Sequence, residues 1–181
     1  MLKNDYEGQN CSIARSLEIV GERWTLLIVR DLFLGLSRFD ELQESLGIAR
    51  NVLTDRLNRL VAEGIVERVP YSERPLRHEY RLTEKGRDLN ITLAGLRQWG
   101  DRYVSPKPPR IVRRKSDRKP LIAAYVPLGT KVVPADDVES VPGPGASTAR
   151  PLRKRLNGRG SVAYPLPTVA QTTRVRSSPE S

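Results

Sequence analysis

Between Gly47 and Gly64 the chain reads IARNVLTDRLNRLVAE. Leu53, Leu57, Leu60 and Val61 recur there at the spacing of one helix face. Asn51, Asp55 and Asn58 fall on the opposite face, flanked by Thr54 and Arg59, with Arg50 at the N-terminal end. Arginine, asparagine and short hydroxyl side chains are those that read base edges in the DNA major groove. On that chemistry Arg50 would pair with guanine, Asn51 with adenine, and Thr54 would meet a thymine methyl or a phosphate. Taken alone, the same face is equally an ordinary solvated surface, with Asp55 and Arg59 as an i,i+4 ion pair worth about 0.3 kcal/mol. The surrounding elements have to decide.

Three more arginines stand where phosphate contact would need them. Arg38 opens a short helix beside amides at the helix start, the usual seat of an anion. Arg74 and Arg77 bracket Pro75 in a polar loop and could follow the backbone or enter the minor groove. His78 sits beside the following strand with no ligand role expected.

The inventory excludes other chemistries. One cysteine and one histidine rule out an intramolecular disulfide, a redox pair and a Cys/His zinc site within one chain. No nucleophile–base pair and no phosphate-cradling glycine loop are evident, and the carboxylates of Asp40–Glu41 and Asp136–Asp137 are neighbours that face different ways on a helix. The expectation is no enzyme, no cofactor and no metal. No apolar run approaches the ~18 residues of a membrane span, and MLKNDYEGQN does not resemble a secretory signal. The sequence therefore reads as soluble and cytoplasmic, without a membrane partner.

Charge divides the chain. Of 31 basic and 21 acidic residues, sixteen of each lie in 1–104, so the whole excess of +10 falls beyond Val104, with twelve of the 14 prolines. A basic tail is an unspecific sign of nucleic-acid binding. Any such function of the first part has to show in its own residues.

The elements that must position them follow from periodicity. Ile13, Leu17 and Val20 mark a helix over Ser12–Val20. After Gly21, Arg23–Leu34 carries Trp24, Leu27, Ile28 and Leu32 on one face and Leu26, Val29 and Phe33 on another, as a central core helix does. Ser37 stands at an N-cap position before Phe39, Leu42 and Leu46. Gly47 breaks the chain, a second helix runs from Ala49 to Glu63, and Gly64 ends it in a left-handed cap. Two short helices across a glycine turn make a helix-turn-helix pattern. Ile65–Val69 and His78–Leu82 are β-prone around the loop Tyr71–Arg77. Thr83 caps a last helix, with Leu89, Leu93, Leu96 and Tyr103 along a stripe, that runs to Val104. The order is that of a winged helix-turn-helix, mainly α with a small β-hairpin wing.

The ordered series CSIARSLEIVGERWTLLIVRDL, SRFDELQESL, LTDRLNRL, EGIVER, RPLRHEYRLTEKG and WG, spread over residues 11–100, resembles the HxlR-type branch of winged-helix bacterial transcription regulators, related in fold to MarR-type regulators. The resemblance implies a dimer joined through its first and last helices and two recognition helices on one DNA operator. Two departures stand out. Ala49 occupies a place where the family often has a hydroxyl residue capping the recognition helix, and a lost cap costs ~1 kcal/mol. The C-terminal His/Cys metal hairpin of some relatives is excluded, since this chain has neither residue there.

Some relatives sense oxidants or electrophiles through a cysteine placed as Cys11 is. A thiol at a helix N-terminus, with Arg15 one turn on, is favoured as thiolate. A lone cysteine is equally a small buried hydrophobe. Both readings of Cys11 stand, and with the first a small-molecule or oxidant effector.

Three segments follow: 1–104, a winged-helix DNA-binding and dimerisation domain; 105–145, a proline-rich appendage; 146–181, a basic disordered tail. In the appendage Arg110–Arg114, Leu121–Val126 and Lys131–Val133 are β-prone and could form a small meander that VPGPG (141–145) ends. RPLRKRLNGRG (150–160) could raise nonspecific DNA affinity or merely solubilise. The expected function is a homodimeric, sequence-specific, DNA-binding transcription regulator, a repressor on resemblance. The alternative is a winged-helix protein–protein assembly module whose basic tail tethers nucleic acid.

Overall fold

The computed structural model describes residues 9–105, 107–133 and 137–146. They form two compact units that part within a helix, after Leu93. The first contains α1 (Ser12–Val20), α2 (Thr25–Phe33), α3 (Phe39–Leu46), α4 (Arg50–Ala62), β1 (Val66–Glu73), β2 (Leu76–Leu82), the single turn α5 (Glu84–Arg87) and the start of α6 (Asn90–Tyr103).

Its core is the buried face of each helix. Ile28 and Val29 of α2, Leu42 of α3 and the α4 leucines are fully or almost fully buried and close on Val66 of β1. Each contributes ~1.5–3 kcal/mol by leaving water. Asp31 is buried among them, its Oδ1 accepting a 2.8 Å hydrogen bond from Arg30 Nε.

Two expectations for the first helices are corrected. On α1 only Val20 of the periodic trio is buried, and Ile13 and Leu17 face solvent. α2 begins at Thr25 rather than Arg23, because Trp24 takes a left-handed backbone (φ 80°) that no helix continues through. Gly47 (φ 63°) and Gly64 (φ 66°) hold the left-handed positions on either side of α4, where a Cβ is disfavoured.

β1 and β2 pair antiparallel, from Val66 opposite Leu82 to Glu73 opposite Leu76, with a register shift between Pro70 and Ser72. Pro70 has no N–H to give the ladder there. The strands run further than periodicity indicates: Tyr71–Glu73 and Leu76–Arg77 belong to them, and only Arg74 and Pro75 make the tip. Tyr80 N–H donates to Ser37 O (2.7 Å) and Arg38 bridges to Glu79, so the start of α3 is stitched to β2.

Thr83 caps as expected, its Oγ1 accepting from Gly86 N–H at 3.1 Å. The helix it caps stops after one turn, and α6 starts afresh at Asn90, where one continuous helix was expected. The hydroxyl also donates to Gly64 O (2.6 Å), binding α5 to the end of α4. Gly86 fits because a Cβ there would lie 2.1 Å from Ile65 O.

The second unit holds the rest of α6 with β3 (Arg110–Arg114) and β4 (Val138–Pro142), which pair antiparallel, Arg110 opposite Pro142 and Arg114 opposite Val138. The three-run meander is thus corrected. Leu121–Val126 forms no strand, and β3 takes Val138–Pro142 instead. Charge explains the choice: Glu139 Oε1 accepts from Arg113 Nε (2.8 Å) and Arg118 Nη1 (2.7 Å), and Asp137 accepts from Ser116 N–H (2.8 Å). LIAAYV offers the β3 arginines no carboxylate. The segment beyond Ala146, expected to be disordered, lies outside the described residues. Among those, no helix is long and apolar enough to cross a membrane.

Candidate nucleic-acid interface

The face of α4 away from its leucines is exposed over Arg50, Asn51, Thr54, Asp55 and Asn58. These positions are three or four apart, so their side chains stand side by side along one edge. Ala49 is the N-cap and supplies no side-chain hydrogen bond. The first-turn amides of α4 therefore lack a side-chain cap from Ala49, at the end where recognition helices approach DNA.

Arg50 lies over α3. Its guanidinium carbon is 4.6 Å from the centroid of the Phe39 ring, and Nη1 is 3.8 Å from Asp40 Oδ1. Exposed cation–π contacts of this kind are worth ~0.5–1 kcal/mol, so Arg50 is held in a resting position it can leave. Thr54 Oγ1 donates to Arg50 O (2.9 Å), which commits the hydroxyl to the helix and leaves its methyl outward.

At the base of the wing the Arg38 guanidinium stacks on Tyr71, 4.6 Å from the ring centroid. The picture of Arg38 beside free amides is corrected: Ser37 N–H and Arg38 N–H both donate to Glu41 Oε2, at 3.2 and 3.1 Å. That carboxylate, rather than the Ser37 hydroxyl, occupies the amides at the start of α3. Arg74 and Arg77 are exposed at the wing tip. His78 lies on β2 with Nδ1 3.1 Å from Arg68 Nη2, beside its strand as expected.

Arg59 does not belong with these. Its guanidinium pairs with the Glu22 carboxylate and reaches the carbonyl of Glu18, back toward the α1–α2 junction, so its assignment to the groove face is corrected. Sequence reasoning missed its companion. Arg56, one turn earlier, pairs with the other Glu22 oxygen and donates from Nε to Arg23 O at 3.4 Å. The signal was available: Arg56 and Arg59 are three apart and flank the leucine stripe, where a long side chain reaches a neighbouring helix. No i,i+4 pair forms between Asp55 and Arg59.

Cys11 is the N-cap residue of α1, exposed in this chain, and its carbonyl accepts from Arg15 N–H at 3.1 Å.

The arrangement has close counterparts. Residues 19–108 match the HxlR-like helix-turn-helix family. The uncharacterised HTH-type transcriptional regulator Rv3095 of Mycobacterium tuberculosis (strain H37Rv) is 54% identical over 107 residues, 59% of this chain and 66% of the relative. The chain thus spans just under two thirds of that regulator's length. The uncharacterised HTH-type transcriptional regulator YvaP of Bacillus subtilis is 37% identical over 93 residues, 51% of this chain and 86% of YvaP. The crystal structure of PA1607, described as a transcription-factor candidate, shares 34% identity at a TM-score of 0.50, covering 93% of this chain and 95% of that one. With its winged fold and its matched segment, the chain belongs to the HxlR-like helix-turn-helix family, a family of transcription regulators and not of enzymes.

Proposed function

We propose that this chain is a homodimeric, sequence-specific DNA-binding regulator that represses by occupying an operator, with α4 in the major groove and the wing along the backbone. The observation that carries the reading is the division of α4. Three leucines pin one face, and the other presents Arg50, Asn51, Thr54 and Asp55 to solvent beside an N-terminus without a side-chain cap. Arg50 and Asn51 supply the base readout, Thr54 an apolar contact, and Asp55 discriminates against wrongly placed acceptors. Arg38, Arg74 and Arg77 supply phosphate contacts.

Two apolar surfaces support the dimer: Ile13 and Leu17 on α1, and Leu96, Trp99 and Tyr103 on α6, all solvent-exposed in the single chain. Exposed apolar helix faces of this kind mark contact sites, and they lie on the first and last helices of the matched segment. A two-fold dimer places its recognition helices about 34 Å apart, on successive major grooves. Occupying an operator requires no activating surface, which favours repression. Binding chromosomal DNA places the protein in the cytoplasm. In the segment division, 1–104 reads the operator and dimerises, and 105–145 is an appendage.

The experiment is binding to DNA from the protein's own promoter region, measured against salt and against competitor. Arg50→Ala or Asn51→Ala is expected to cost ~1–3 kcal/mol on the operator and to relax preference at one base pair. Arg74→Ala is expected to weaken all sequences alike and to reduce the salt slope by about 0.9. Unchanged operator preference in both α4 variants would remove α4 from the reading role.

A further inference from the structure

The segment Leu121–Leu128, LIAAYVPL, carries no charge in a unit otherwise rich in arginine. Its backbone is anchored on both sides. Leu121 N–H donates to Val112 O at 2.9 Å. The Gln98 carboxamide grips Ala123 twice, Nε2 donating to its carbonyl (3.1 Å) and Oε1 accepting from its N–H (2.8 Å). Beyond the segment, Thr130 N–H and Oγ1 both donate to Pro127 O, at 3.1 and 2.7 Å. Between these anchors Tyr125 and Leu128 are 106% and 107% exposed. An ordered backbone thus holds two large side chains wholly out in water, at the full hydrophobic cost.

Beside the segment the same unit carries a cavity of about 300 Å³, lined by Arg97, Gln98, Asp101 and Arg102 of α6 and by Leu121 and Ile122. One wall is apolar. The other holds an ion pair, Arg97 Nη1 3.5 Å from Asp101 Oδ2. Burial holds the Arg97 guanidinium below its ordinary pKa, and the Asp101 charge opposes the shift. The chain's own Tyr125 does not enter this cavity.

The geometry points to a reciprocal exchange in the dimer proposed above, on which this inference rests: Tyr125 of each copy seats in the α6 cavity of the other. The ring would lie against the partner's Leu121 and Ile122, and the hydroxyl on the partner's Arg97–Asp101 pair. A phenol suits such a site, having an apolar body and a polar tip that needs a partner when buried. A second copy suits it because the protruding side chain and the open cavity belong to one unit, so a two-fold axis satisfies both at once. The exchange is also continuous with the exposed stripe Leu96, Trp99 and Tyr103 on the same helix. Each aromatic side chain brings roughly 150–250 Å²; Trp99, Tyr103 and Tyr125 of both copies, with Leu96 and Leu128, approach the ~1,600 Å² of a standard interface. Prior anchoring of the segment keeps the ordering cost low. An uncharged segment has nothing to offer a nucleic acid.

The test uses the full chain with Cys11→Ser, so that each engineered thiol is the only one. Chains bearing Tyr125→Cys and chains bearing Arg102→Cys are mixed and treated with a short bismaleimide. A covalent heterodimer is expected, absent when Ser116→Cys replaces Arg102→Cys. Tyr125→Asp is expected to raise the dimer dissociation constant, measured by sedimentation, at least about tenfold, and Tyr125→Phe to raise it less. A wild-type dimer that neither links nor weakens with Tyr125→Asp overturns the exchange and leaves the dimer standing. A wild type that is monomeric at micromolar concentration overturns both.

Discussion

Removing the Glu22 carboxylate tests how the recognition helix is held. Glu22 follows Gly21 in the α1–α2 junction, and Arg56 and Arg59 of α4 each take one of its oxygens, Arg59 also reaching the Glu18 carbonyl. The three side chains are 36%, 27% and 38% exposed, in the order Glu22, Arg56, Arg59. An exposed pair contributes ~0.2–1 kcal/mol, and a fully buried one costs ~3–5 kcal/mol to break. At about one-third exposure solvent screens most of the attraction, so each pair is worth about 0.5–1 kcal/mol and Glu22→Ala costs about 1–2 kcal/mol in all. For a domain of this size that lowers Tm by about 5–10 °C.

The assay is chemical denaturation of Glu22→Ala, Arg59→Ala and the double variant, with operator titrations on each. In the clamp the two single changes overlap, and the double-mutant cycle should show a coupling of about 0.5–1 kcal/mol. The salt slope of DNA binding should stay where it is in Arg59→Ala, because no phosphate contact has been removed. If Arg59→Ala instead lowers the slope by about 0.9 with its denaturation midpoint unmoved, Arg59 touches DNA and the clamp is wrong.

Ala49→Ser should add a cap to α4 and raise stability by about 0.5–1 kcal/mol in denaturation, with operator preference unchanged. Gly86→Ala drives a methyl to 2.1 Å from Ile65 O, and the backbone shift needed should cost about 1–3 kcal/mol by the same measurement. In the second unit the Glu139 carboxyl is held below its usual pKa, first by its hydrogen bond from Arg113, with Arg118 adding to it. A depressed carboxylate contributes stability above its unfolded pKa and loses it as pH falls through the folded one, so acid below the carboxylate range should loosen β3–β4 in wild type and less so in Glu139→Gln, followed by hydrogen exchange. Truncation after Gly145 should retain operator preference and dimerisation while lowering nonspecific affinity and its salt dependence. Cys11 is exposed at the start of α1, so diamide or a quinone should modify it, and operator affinity should change in wild type but not in Cys11→Ser; an unmodified thiol by mass spectrometry leaves Cys11 without a sensing role.

The winged fold was legible because its signals are local. Leu53, Leu57 and Leu60 mark the buried face of α4 within one stretch, Gly47 and Gly64 mark its limits, and Thr83 marks the next cap. The α4 face away from the leucines follows from those three alone, so Asn51, Thr54 and Asp55 could be placed on the exposed surface without coordinates. What stayed hidden depends on separation along the chain. Nothing near Arg59 in sequence distinguishes a phosphate ligand from a partner of Glu22, 37 residues away. The same holds for β4, selected by Asp137 and Glu139 against the arginines beyond Pro109, while the better β-former Leu121–Val126 stays unpaired.

That contrast separates two uses of arginine in one helix. Arg50, Arg56 and Arg59 are alike in composition, and any count of basic residues would give all three to DNA. Arg56 and Arg59 are spent on Glu22, which lies where α1 ends and α2 begins, so a change in the angle of α1 is transmitted to α4 through a charge-assisted contact rather than through the leucine core alone. Arg50 rests on Phe39 and Asp40 of α3 by contacts weak enough to exchange for a guanine. The helix is thus anchored by the arginines of its C-terminal half and reads with the one at its N-terminus. A modification or ligand acting on α1 would shift the anchored end first, and so alter how Arg50 and Asn51 meet the groove without touching either.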